Sequence, residues 1–252
     1  MSTRKTYFIT GASRPDGVGF NLARHLASEP DTLVFATARD LAVATELTAL
    51  AKERENVYAL KLEATSKEDA QRAVESVQQK TDHLDVLIPC AAVCPISPLF
   101  SASLDDVRNA LEVNTLGPLQ LFQAFWPLLS HSARPVFAPI SSGAGSITFS
   151  ASLPFPMGAY GLSKCALNYL AAKLAGEHPE LCSFTIHPGR LATGMTREVM
   201  KVWPEAERVF AAVGPADKME ESVEGIARLV KEAQRESHGG KFFNHDGQEM
   251  PW

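Results

Sequence analysis

Residues 10–20 read Thr10-Gly11-Ala12-Ser13-Arg14-Pro15-Asp16-Gly17-Val18-Gly19-Phe20, directly after the apolar run Lys5-Thr6-Tyr7-Phe8-Ile9. A short β-branched and aromatic run that ends in glycines and passes into a helical period, here Val18, Leu22 and Leu26 on one face, predicts a strand, a tight turn and a helix. In such a turn Gly11 permits the sharp reversal, Gly17 lets backbone approach a pyrophosphate, and Gly19 lets the helix lie close on the strand. The unpaired N–H groups and positive dipole end of that helix would hold the phosphate. Glycine turns also occur without a ligand, so the argument rests on context: this one follows the first strand of an alternating series.

The series continues outward from the turn. Strand-like runs occur at Thr32–Thr37, Val57–Leu62, Leu84–Ile88, Pro135–Ile140, Leu181–Ile186 and Lys241–Asn244. Between them lie helical periods at Leu41–Arg54, Lys67–Lys80, Ser103–Leu129, Gly158–Glu177 and Glu220–Glu236. This alternation predicts an α/β fold, a doubly wound Rossmann-like parallel sheet of seven strands with helices on both faces, in one domain spanning residues 1–252. Pro118 and Pro127 are expected to kink or break the long fourth helical segment, because proline lacks an N–H and clashes with the preceding turn. Gly143–Met157 and Pro188–Asp217 fit neither period. Both follow strands at their carboxyl ends, where open α/β sheets bind ligands, and are expected to form the site.

Composition excludes several function classes. The chain has 252 residues, 45% of them hydrophobic, enough for one sizeable core. Its formal net charge of -5 is spread over mixed-sign segments, with no basic run suited to nucleic acid or an anionic membrane. Met1–Thr10 has too short an apolar run for a signal peptide, and no stretch approaches the ~18 apolar residues of a membrane span. A soluble, cytoplasmic protein is expected. Cys90, Cys94, Cys165 and Cys182 form no CxxC pair and have no histidine cluster, so free thiols are expected and no metal.

Cofactor choice turns on the end of the second strand, about twenty residues beyond the glycines, where an acid bonds ribose hydroxyls and a cation accepts a 2′-phosphate. Here the sequence is Thr37-Ala38-Arg39-Asp40. Ala38 takes the place of a discriminating acid, and the planar guanidinium of Arg39 suits a phosphate, with Arg14 as a second cation. NADP(H) is therefore expected. The alternative makes Asp40 the ribose ligand and Arg39 an ordinary surface residue.

Tyr160-Gly161-Leu162-Ser163-Lys164 opens the Gly158–Glu177 helix and sets a phenol and an ammonium on one face at i,i+4. A phenol with an ordinary pKa near ~10 is a poor acid–base group, and an adjacent ammonium is expected to lower it toward the working range. Ile140-Ser141-Ser142-Gly143 ends the preceding strand, and a hydroxyl there can hold a substrate oxygen beside Tyr160. Ser142 is favoured over Ser141. Asn114 is expected to interrupt the fourth helix and hold a water linking Lys164 to solvent. Read singly, Ser142 is better explained as a turn residue and Asn114 as a helix-polar residue.

Taken together, Thr10–Gly19, Asn114, Ser142, the Tyr160/Lys164 pair and His187–Thr193 resemble, in order, the motifs of the short-chain dehydrogenase/reductase family over essentially the whole chain. Within it, the Ala36–Asp40 turn and the ending Phe242–Trp252 look like fungal polyketide ketoreductases of the norsolorinic acid ketoreductase type. The resemblance implies catalytic roles for Asn114, Ser142, Tyr160 and Lys164. It further implies that Lys164 bonds the nicotinamide ribose, that Pro188, Gly189, Leu191 and Thr193 hold the carboxamide, and that Val18, Glu63, Ala91 and Tyr160 border the cofactor. The family commonly forms dimers or tetramers, so a homo-oligomer is expected. Three departures stand out. Five residues rather than three separate Gly11 from Gly17, Pro89-Cys90-Ala91-Ala92 replaces the usual Asn-Asn-Ala-Gly, and Glu63 replaces an Asp.

The expected activity is hydride transfer from NADPH to a carbonyl or similar electrophile. The rival is a cofactor-binding protein of the same fold without net redox chemistry: an isomerase, a cyclisation catalyst or a nucleotide sensor. Apolar residues crowd the two site-forming segments: Ile147, Phe149, Leu153, Phe155 and Met157, then Met195, Val199, Met200, Trp203 and Phe210. They predict a hydrophobic small-molecule substrate, aromatic or polycyclic, although lid packing explains any one of them equally well.

Overall fold

The computed structural model describes residues 4–206, 208–209 and 215–252. Phe210, expected near the pocket, lies outside them. The strands are β1 (Lys5–Ile9), β2 (Thr32–Ala38), β3 (Val57–Lys61), β4 (Val86–Ile88), β5 (Val136–Phe137), β6 (Cys182–Ser183), β7 (Thr185–His187) and β8 (Phe242–Asn244). The helices are α1 (Val18–Ala27), α2 (Thr45–Glu53), α3 (Lys67–Gln78), α4 (Leu104–Leu111), α5 (Gly117–Leu129), α6 (Ile147–Ser150), α7 (Gly158–Glu177), α8 (Gly194–Val202), α9 (Met219–Glu232) and α10 (Arg235–His238).

The main sheet is parallel, in the order β3-β2-β1-β4-β5-β6. Alternation along β1 sends Tyr7 and Ile9 into one apolar layer, with α1, α2 and α9, and Phe8 into the other, with α3 and α5. Every residue of β2 is buried, as expected for a strand covered on both faces.

The expectation of seven strands in one sheet needs correction, because the main sheet has six. The run Leu181–Ile186 divides at Phe184 into β6 and β7, and β7 pairs with β8 in a two-stranded sheet. A bridge between Ile140 and Ile186 still links β7 to the chain beyond β5. Prolines explain the division. Pro89 follows β4 and Pro139 lies just beyond β5, so the central ladder lacks these two N–H donors at its carboxyl side and regular pairing stops early.

The segment Ser103–Leu129 is interrupted at neither expected proline. α4 ends at Leu111, a π-helical turn covers Glu112–Leu116, and α5 starts at Gly117. Pro118 lies in the first turn of α5, where an N–H is unpaired anyway, and Pro127 lies inside its last turn. The break centres on Asn114. α2 begins at Thr45 rather than Leu41, and α9 ends at Glu232 before the short α10. Among the described residues, no helix is long and apolar enough to cross a membrane.

Candidate active site

A cavity of about 1060 Å³ opens along the carboxyl ends of the strands, lined by the loop after β1, the ends of β2 and β4, the loop after β5, the start of α7 and the segment after β7. It gathers Gly11, Arg14, Gly17, Val18, Gly19, Arg39, Glu63, Ala91, Ser142, Tyr160, Lys164, Pro188, Gly189, Leu191 and Thr193. Asn114 is fully buried and does not line it.

The glycine turn is built for close approach. Gly11 has φ +72°, and a Cβ there would lie 2.7 Å from Ala91 Cα; one on Gly19 would lie 2.7 Å from the Gly11 carbonyl. The longer spacing between Gly11 and Gly17 is taken up by a turn in which Gly17 N–H donates to the Arg14 carbonyl at 2.9 Å. Asn21 Nδ2 braces this turn through the carbonyls of Pro15 (2.8 Å) and Gly17 (2.9 Å). Arg14 reaches the start of α8, where its Nη1 sits 2.6 Å from the place of a Cβ on Gly194, and Asp16 pairs with Arg197.

At the end of β2 the two rival residues part. Arg39 lines the cavity and makes no salt bridge or side-chain hydrogen bond among the described residues, while Asp40 stands outside the lining and accepts the Ala42 N–H at 2.8 Å. The cradle around Gly11, with Arg39 over the same cavity, fits a dinucleotide. Glu63 also lines this end, with Oε1 accepting the Ala64 N–H at 3.0 Å.

At the other end, the loop after β5 rests backbone to backbone on α7. A Cβ on Gly145 would meet the Lys164 carbonyl carbon at 2.7 Å. That contact sets Ser142 beside Tyr160, where its hydroxyl acts to lower the phenol pKa. Ser141 faces the interior and donates to Asn168 Oδ1 at 2.6 Å. Lys164 Nζ lies 5.7 Å from the centre of the Tyr160 ring and donates to the Ile140 carbonyl at 2.7 Å.

The electrostatics correct one expectation. Burial, reinforced by Cys94, raises the Tyr160 pKa well above its ordinary 10.0; the neighbouring Ser142 hydroxyl opposes this only in part. Lys164 does not hold the phenol in the neutral range here. It is itself lowered by burial from 10.5 to about 8, with Cys90 and Cys94 pulling upward. Enclosure of both groups outweighs their mutual effect.

The side chain of Asn114 is committed within the protein. Its Oδ1 accepts the Val93 N–H at 2.9 Å, while Nδ2 donates to the Val93 carbonyl at 2.8 Å and to Ser163 Oγ at 2.9 Å. With both ends of the amide engaged, the side chain ties the loop after β4 to α7. A bound water would have to use its backbone carbonyl.

Several site residues were not read from the sequence. Thr10 Oγ1 accepts the N–H groups of Cys90 and Ala91, each at 3.0 Å, bracing the loop where the family's usual asparagines are missing. The Gln248–Pro251 segment lines the cavity, and the Pro251 and Trp252 carbonyls accept from Ser146 Oγ at 2.8 Å and Thr148 N at 2.9 Å. Of the expected apolar lining, Phe149, Phe155, Met157, Met195 and Val199 face the cavity. Ile147 and Met200 point to solvent, Leu153 stands outside, and Trp203 packs on Phe155.

This arrangement defines an α/β oxidoreductase-type nucleotide-binding fold. The chain matches the family described as short chain dehydrogenase over residues 5–202, and it belongs to that family. It is 34% identical to norsolorinic acid ketoreductase nor1 of Dothistroma septosporum over 259 aligned positions, covering 100% of this chain and 94% of the relative. Short-chain dehydrogenase srdF of Neurospora crassa is 34% identical over 189 residues, 73% of this chain and 72% of that protein. Among solved structures, the NADPH-bound carbonyl reductase from chicken fatty liver superposes with a TM-score of 0.84 at 28% identity, covering 100% of both chains.

Proposed function

We propose that this protein is an NADPH-dependent reductase acting on the carbonyl of a hydrophobic, aromatic or polycyclic small molecule. The observation that carries this reading is the gathering of Tyr160, Ser142 and the buried Lys164 at one end of the same cavity. NADPH, bound along Gly11, Gly17, Gly19 and Arg39, would supply the hydride. Ser142 and Tyr160 hold the carbonyl oxygen, and Tyr160 donates its proton to that oxygen as negative charge develops there. Lys164 carries the positive charge that favours proton release and bonds the nicotinamide ribose, and Asn114 keeps α7 in register with the loop after β4. Phe149, Phe155, Met157, Met195 and Val199 exclude water and select an apolar substrate.

Two further parts of the reading are a cytoplasmic location and a homo-oligomer. Support for the oligomer comes from Leu162 and Tyr169, seven residues apart on α7 and both exposed, with Leu104 and Leu116 exposed on the neighbouring helical segment.

The test follows NADPH absorbance with a panel of aromatic ketones. Consumption with at least one is expected. Tight NADPH binding without consumption across the panel would remove the reductase reading and favour a non-redox role.

A further inference from the structure

His187 ends β7, and its ring enters the cavity just before the chain turns at Pro188. Nδ1 is shielded from solvent and has no hydrogen-bond partner among the described residues. Nε2 points toward Gly143: a Cβ on that glycine would lie 3.5 Å from it and 3.6 Å from Phe149 Cε1. The space kept open beside Ser142 therefore has an imidazole and a phenyl edge on its walls.

Burial lowers the His187 pKa to about 4, with Asp217 pulling upward and His245 downward, so the ring is neutral near pH 7. A neutral imidazole carries one N–H. Placing it on Nδ1 would seal an N–H donor away from every acceptor among the described residues, the rarest kind of buried orphan. The hydrogen-bond geometry therefore puts the proton on Nε2, facing the open space. In the reductase reading, Ser142 and Tyr160 hold the oxygen of the carbonyl being reduced. A third donor next to them has nothing to bond in a simple ketone.

We propose that His187 is a specificity-determining residue, whose Nε2–H donates to a second oxygen of the substrate set close to the carbonyl that is reduced. The substrate class is a β-dicarbonyl compound or an aryl ketone with an ortho oxygen. This inference rests on the reductase reading for the identity of the site, and its test reads binding separately from turnover.

The probes are acetophenone and 2′-hydroxyacetophenone, which differ by one oxygen. Their affinities for the NADP+-loaded protein are measured by titration calorimetry for wild type, His187→Phe and His187→Gln, with folding checked by circular dichroism. Wild type is expected to prefer the hydroxylated ketone about three- to tenfold, the range of one neutral hydrogen bond. His187→Phe should bring the ratio of affinities close to one. His187→Gln, which keeps a donor at similar reach, should restore part of it, and His187→Met replaces the Phe variant if that does not fold. A wild-type ratio of one, or a preference that survives in His187→Phe, overturns the proposal. Loss confined to NADP+ affinity also overturns it, because the donor would then serve the cofactor. NADPH consumption is followed in parallel: an intact pattern of ratios without turnover supports the donor assignment while removing the reductase reading.

Discussion

Lys164 donates a 2.7 Å hydrogen bond to the carbonyl of Ile140, so the ammonium is held at the end of the central sheet, buried, rather than free to swing toward solvent. The carbonyl bond does not repay the full loss of hydration, and burial lowers the lysine pKa from 10.5 to about 8. Between those values the unfolded chain holds more protons than the folded one, so stability rises as pH climbs from about 8 to 10.5. Below pH 8 the burial penalty is fully present. Lys164→Met removes it but leaves Ile140 without that partner. At pH 7 the variant should be more stable by roughly 1–2 kcal/mol, from about 1.4 kcal/mol per pKa unit less the lost bond. Its stability should rise less between pH 8 and 10 than wild type, and NADPH consumption should be lost. Urea unfolding at both pH values measures this; identical pH slopes would refute it.

The Tyr160 phenol is raised, not lowered, in this structure. It stays protonated across the physiological range, so the phenol does not limit reduction near neutral pH, and the first fall should come above about pH 8 as Lys164 loses its charge. Tyr160→Phe keeps the ring and removes the acid. Turnover should drop by about 10²-fold or more with NADPH affinity little changed. Single-turnover reduction alongside cofactor titration separates the two effects, and a near wild-type rate would exclude Tyr160 as the proton donor.

The adjacent serines should separate by phenotype. Ser142→Ala removes the hydroxyl beside Tyr160 and should slow turnover while leaving the melting temperature within a few degrees of wild type. Ser141→Ala removes the 2.6 Å bond to buried Asn168 and should instead destabilise by about 1–3 kcal/mol. Thermal melts and initial rates for both variants decide it; the reverse pattern would make Ser141 the residue beside the substrate.

What could be read from the sequence follows from how local the signals are. The glycine turn, the Tyr160/Lys164 spacing and the alternating periods depend on residues a few positions apart, and the fold they predict is the one formed, apart from the sheet divided at Phe184. The choice between Ser141 and Ser142 was legible only as a preference, because neighbouring side chains on extended backbone point to opposite sides. Thr10 bonding Cys90 and Ala91 joins residues about eighty positions apart and has no local pattern. The direction of the Tyr160 pKa likewise depends on enclosure by distant elements. For the same reason Phe149 and Met195 could not be told from Ile147 and Met200 until the loops had folded.

Arg39 lines the cavity while Asp40 is engaged with the Ala42 N–H. The protein should therefore bind NADPH at least about tenfold more tightly than NADH, and Arg39→Ala should erase most of that preference, about 1.4 kcal/mol per factor of ten. Asp40→Ala should leave the ratio nearly unchanged. Fluorescence titration with both cofactors tests this. Equal affinities in wild type would return Asp40 to the role of ribose ligand.

The final prediction concerns the loop after β4, where Pro89 and Cys90 stand in place of the two asparagines of the motif this segment otherwise resembles. Thr10 is buried, and its hydroxyl oxygen accepts both backbone N–H groups at 3.0 Å. Thr10→Val keeps the shape and removes the acceptor, leaving two N–H donors without it. Each orphaned group costs about 1–3 kcal/mol, so a loss of roughly 2–4 kcal/mol is expected, lowering the melting temperature by about 5–12 °C for a chain of this length. Thr10→Ser keeps the acceptor and loses one methyl, so its loss should stay below about 1.5 kcal/mol. Binding should follow stability, because Ala91 packs against Gly11: a loop that drifts from β1 opens the narrow cradle, and NADPH affinity should fall in the Val variant but not in the Ser variant. Melting curves and NADPH titrations on the two variants are sufficient. If Thr10→Val proves as stable as Thr10→Ser, the hydroxyl is not what holds the loop, and the brace must come from the thiol of Cys90 or from packing alone.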